Sequence, residues 1–87
     1  MKTVPARVPQ FFFHIRGGEI ECDDEEGMDL PDKDAARQEA VRSARDLLAA
    51  AVLEGRLPLH ESIVVTEGGG GTIITVTFGE AVGAAPP

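Results

Sequence analysis

This chain of 87 residues has no tryptophan, no tyrosine, one cysteine and two histidines. With Cys22 alone, no intramolecular disulfide can form, and Cys22, His14 and His60 do not fall at any recognisable metal-ligand spacing. No apolar run approaches the roughly 18 residues of a membrane span. Residues 1–10 lack the apolar core of a secretory signal, so the expected compartment is the cytoplasm. Basic residues are also scarce: eight lysines and arginines face fifteen acids, for a net charge of −7. That balance argues against direct nucleic-acid binding, which depends on neutralising phosphates with a basic patch. The length suits one domain, near the lower end of what folds unaided.

The acids that are present are concentrated. Residues 17–34 hold nine of them against Lys33 alone, whereas residues 1–16 contain only Lys2, Arg7 and Arg16 as charged groups. Asp23, Asp24, Glu25 and Glu26 form the densest run and are a candidate surface for a basic partner. The acidity is read first as serving solubility. A calcium reading of this run fails on spacing: counting from Asp23, glycine falls fifth and the twelfth residue is Asp34, not glutamate.

Three of the four phenylalanines stand together in Gln10-Phe11-Phe12-Phe13-His14-Ile15-Arg16. Side chains alternate along a strand, so Phe11, Phe13 and Ile15 share one face and Phe12, His14 and Arg16 the other. Gly17-Gly18 then reads as a hairpin turn into a second strand at about Glu19–Asp23, where Ile20 and Cys22 alternate with acids. Residues 24–31 read as a loop in which Met28 and Leu30 can tuck inward. Residues 33–54 carry a helical pattern, with Asp32 as the N-cap (Asp34 the alternative) and Gly55 past the C-terminus. Ala36, Ala40, Val41, Ala44, Leu47, Leu48, Ala51 and Val52 fill one arc of this helix. Arg37 lies inside that arc and is read as snorkelling toward the acidic loop. Leu53 lies on the polar side. Strands follow at about Glu61–Glu67 and Thr72–Phe78, joined by Gly68 to Gly71. That glycine run lacks the lysine and the following helix of a phosphate loop.

These elements predict an α+β fold: a two-layer ββαββ sandwich with a four-stranded, mainly antiparallel sheet and one long helix on one face. Connection rules favour strand order 2-1-3-4, with 2-1-4-3 as the alternative. Residues 1–9 are expected to form a flexible arm, 10–78 the domain and 79–87 a disordered tail. Parity sends Phe11, Phe13, Ile15, Ile20, Cys22, Ile63, Val65, Ile74, Val76 and Phe78 toward the helix. The helix-free face receives Phe12, His14, Arg16, Val64, Ile73 and Thr75. An apolar centre with a polar rim is the anatomy of an interface, so these six are the candidate contact residues.

No catalytic constellation accompanies them. His14 has no serine or cysteine nucleophile near it in sequence, and Glu19 or Glu21 beside His14 or Arg16 reads as cross-strand stabilisation. No cofactor or metal is expected.

The strand Phe11-Phe12-Phe13-His14-Ile15-Arg16, then Asp24-Glu25-Glu26-Gly27, Leu30-Pro31-Asp32 and Asp34-Ala35-Ala36-Arg37-Gln38-Glu39-Ala40, resemble a family of short bacterial proteins classed as a domain of unknown function. The resemblance spans about residues 10–78 and implies no activity; the four-glycine loop and the small-residue tail depart from it. A looser likeness, of architecture only, is to the HicB antitoxin family. The expected function is therefore a non-enzymatic binding module, homodimeric through the helix-free face. The alternative is an antitoxin-like or inhibitor-like acidic partner of a basic protein.

Overall fold

Asp32 starts the long helix as its sequence position suggests. Its side chain accepts a 2.9 Å hydrogen bond from the Ala35 N–H, satisfying one of the donors that every helix N-terminus leaves open. The computed structural model describes residues 8–19 and 21–83. Within them the order is β1 (Gln10–Arg16), β2 (Met28–Asp29), α1 (Lys33–Leu53), β3 (Ser62–Glu67), β4 (Thr72–Thr77) and α2 (Phe78–Ala81). Helix α1 ends in a Schellman motif: the Arg56 N–H donates to the Ala51 carbonyl, the Gly55 N–H to that of Val52. Gly55 supplies the required left-handed turn at φ 85°.

The four strands form one antiparallel sheet in the order β2-β1-β3-β4. Helix α1 lies on one face, so the fold is α+β, as expected. Phe11, Ile63, Val65 and Val76 are buried beneath Ala36, Ala40, Ala44, Leu48 and Ala51. Alanine at those positions lets the helix approach closely, and the strands supply the bulk of the core. The buried stripe is narrower than the sequence arc. Leu47 and Val52 stand at its margins and are exposed, as is Leu53. No helix among the described residues is long and apolar enough to cross a membrane.

Three features depart from expectation. The second strand is not at Glu19–Asp23 but at Met28–Asp29, which pairs with Phe11 and Gln10. Among the described residues of the expected segment, Cys22 alone pairs with the β1 backbone, through a single bridge to Ile15. Cys22 is exposed instead of buried, and Ile20 lies outside the described residues. The reason is local chemistry. The Asp24 carboxylate takes the β1 N–H that a continuing strand would have used (below), a side-chain bond replacing a ladder bond. Met28 is largely exposed, and Leu30 alone of the pair packs on the core.

The second departure is the tail. Residues Phe78–Ala81 form a short helix in place of a strand end and disorder. Thr77 and Glu80 cap it reciprocally, while Phe78, Gly79 and Ala81 are buried. The chain thus turns into the helix layer, where the Ala81 carbonyl accepts from Arg45 Nε. The rest of the expected tail, residues 84–87, and most of the expected arm, residues 1–7, lie outside the described residues. The third departure is Arg37. It is exposed, and its charge acts on Glu80, not on the acidic loop. Hydrogen bonds from Thr77, aided by that charge, hold the Glu80 carboxyl below its usual range.

Candidate functional site

Parity along β1 places Phe12, His14 and Arg16 on the face away from α1, opposite Thr66, Val64 and Ser62 of β3. Beyond β3 the same face continues to Thr75, paired with Val64. Ile73 sits at a β-bulge: Val65 faces Ile74 while Thr66 faces Thr72, leaving Ile73 as the extra residue on β4. It is half-buried and packs against the core. All six candidate contact residues therefore belong to one sheet, yet they fall into two groups with different neighbours.

The first group, on β1, holds down the acidic loop. One Asp24 carboxylate oxygen accepts the Phe13 N–H at 3.1 Å. The other accepts the N–H groups of Glu26 and Gly27, each at 3.1 Å. The Asp24 N–H in turn donates to His14 Nδ1 at 3.1 Å. Because Nδ1 accepts, the ring proton belongs on Nε2, which faces Thr66 Oγ1 at 3.0 Å. Arg16 closes the set with a 2.5 Å ion pair to Asp23 and bonds to the carbonyls of Ile15 and Cys22. The sequence pattern pairs His14 and Arg16 with Glu19 or Glu21. The partners are instead Asp23 and Asp24, and Glu21 accepts from the Gly17 N–H. Partial burial pushes the Asp24 carboxyl up, but the three backbone donors and His14 outweigh it and hold the group below the usual carboxylate range.

Gly27 completes the lock. It has φ 73°, and a Cβ built there would lie 2.8 Å from Phe12 Cε2. The loop backbone therefore packs directly against the Phe12 ring, and both the turn and the contact require glycine. The run Asp24-Glu25-Glu26-Gly27 is thus a clasp, in which the aspartate gathers N–H groups and the glycine lets the chain pass Phe12. Its signal in the sequence is an aspartate three residues before a glycine, a turn pattern more than a ligand pattern.

Of the four acids in the candidate partner surface, Asp23 and Asp24 are therefore engaged within the fold, and Glu25 and Glu26 project outward. The second group, Val64, Ile73 and Thr75, makes no such loop contacts. Val64 is half-buried and Thr75 exposed, framed by Ser62, Thr66, Thr72 and Thr77. His60 is exposed and bonded to none of these groups among the described residues.

No curated protein and no solved structure matches this chain. A family match covers residues 10–79, from the first residue of β1 to the second residue of α2. It takes in the clasp, the helix and all four strands. The chain belongs to the family described as domain of unknown function DUF6894.

Proposed function

We propose that the protein is a non-enzymatic interaction module that works as a homodimer, with the helix-free face of its sheet as the contact surface. One observation supports this above others. Val64 lies half-buried within a frame of hydroxyl side chains, on a sheet face that no second layer covers among the described residues. An apolar centre inside a polar rim is how interfaces are built. The weight of the contact falls on Val64 and Thr75, because Phe12, His14 and Arg16 already bind the loop and Ile73 packs against the core. Both ring nitrogens of His14 are likewise committed to the fold, which favours binding over acid–base work. The acidic-partner alternative is weakened by the same geometry, since half of its surface is spent on the clasp.

The test is molar mass in solution by light scattering. The wild-type chain should give twice its 9.2 kDa. Thr75→Glu, at an exposed position that tolerates a charge in the folded monomer, should give the mass of one chain. A dimer that survives Thr75→Glu, or a wild-type protein that is monomeric throughout, overturns the reading.

A further inference from the structure

The outer side of β4 carries the inference furthest. β4 is the last strand of the sheet, with β3 on one side only. The Phe78 N–H donates inward to the Glu61 carbonyl, and the Thr77 N–H turns away from β3 to its own Glu80. Backbone groups alternate in direction along an antiparallel strand. Thr75, two residues before Thr77, therefore aims its N–H and C=O away from the sheet. No turn, loop or cap hydrogen bond among the described residues reaches the Thr75 N–H or C=O.

An open edge is usually guarded by charge, proline or brevity. Thr72-Ile73-Ile74-Thr75-Val76-Thr77 has no charged residue and no proline, and it runs for six residues. The bulge at Ile73 irregularises one end, on the side facing β3. The capping box seals the other by occupying the Thr77 N–H. What remains open is the middle of the strand.

We infer that the open edge of β4 pairs antiparallel with β4 of a second copy, joining two four-stranded sheets into one of eight strands. The occupant follows from charge and symmetry. In a chain of net charge −7, a second copy arriving along β4 meets an uncharged strand. One arriving at the opposite edge meets the acids of residues 19–34. Because β4 is the one open edge among the described residues, the pairing is isologous and closes at two copies, without propagating into a fibre. Beyond the bulge, Thr75 and Thr77 lie on the helix-free side in both copies, so odd must face odd. That parity puts both helices on one face and makes the two helix-free faces continuous. Threonine opposite threonine or isoleucine is a favourable cross-strand combination. The pairing has the backbone chemistry of β-augmentation, with the partner strand supplied by the protein itself.

The inference rests on the homodimer proposed above but places the contact at the edge of the sheet instead of across its face, so the experiment must separate the two. Thr75→Pro removes the outward N–H while leaving every bond from β4 to β3 in place, and proline is tolerated on an edge strand. Thr75→Val changes the side chain and keeps the N–H. Light-scattering mass should fall from two chains to one for Thr75→Pro and stay at two for Thr75→Val, with circular dichroism reporting a folded protein in both. A dimer that survives Thr75→Pro but is lost in Thr75→Glu overturns the strand pairing and leaves the face contact standing. A monomeric wild type overturns both. Should Thr75→Pro fail to fold, the amide of Thr75 decides: exchange as fast in concentrated as in dilute wild-type protein overturns the pairing.

Discussion

At one edge of the sheet, β2 is two residues long, and the chain beside β1 is held by Asp24, Arg16, His14 and Gly27. At the other edge, six uncharged residues of β4 end the sheet with Thr75 facing outward. The first edge is closed by the Asp24 side chain, which accepts the Phe13 N–H in place of a neighbouring strand, and by acids that repel an incoming one. The second is left to backbone groups with no partner of their own among the described residues. The lesson is that an acidic run beside a strand can be an internal seal, while the surface that invites a partner is the one with no charge at all.

The largest effect on this contrast should come from breaking the clasp at Gly27. Gly27→Ala meets two penalties together, a left-handed φ and a Cβ 2.8 Å from the Phe12 ring, and should cost roughly 2–3 kcal/mol in urea unfolding. Gly55→Ala has the first penalty only, since nothing lies within 4 Å of its Cβ, and should cost about 1 kcal/mol. Equal costs would mean that the Phe12 contact contributes nothing.

A smaller effect isolates the carboxylate. Asp24 is held below its ordinary range when folded, so between its folded and unfolded values the unfolded chain binds more protons. Its stabilisation is complete at neutral pH and is lost as acid carries the pH down through the folded value. Asp24→Asn keeps one acceptor oxygen but presents an N–H₂ where a second acceptor is needed. It should lower stability by about 1 kcal/mol at neutral pH and flatten the acid limb of a stability-against-pH curve. Glu80, also held low by Thr77, supplies the part that remains. An unchanged acid limb would show that Asp24 is not the seal.

Much of the fold is legible in the residue pattern. The Asp32 cap, the alanine stripe and the Gly55 terminator mark the helix, and alternation with connection rules leads to the order β2-β1-β3-β4. What escapes is whatever depends on side chains competing with the backbone. Asp24 takes the Phe13 N–H and so displaces the second strand from 19–23 to 28–29, a substitution that strand periodicity does not register. The tail is misread for a similar reason. Thr77 and Glu80 form a capping box, but the helix it opens is too short to show a period. The helix-free face of β1 and β3 is legible from parity, though Ile73, displaced by the bulge, packs against the core. The division of that face into a locked half and an open half is not legible, because it depends on where a loop with no period of its own comes to rest.

Amide hydrogen exchange at Phe13 and at Thr75, measured in the same sample both dilute and concentrated, compares the two edges directly. The Phe13 N–H is held by Asp24 within one chain and should be protected equally at both concentrations. The Thr75 N–H should exchange quickly in dilute protein and become protected as two copies pair. Fast exchange at Thr75 in the concentrated sample, or exchange at Phe13 as fast as at Thr75 in the dilute one, would contradict the account.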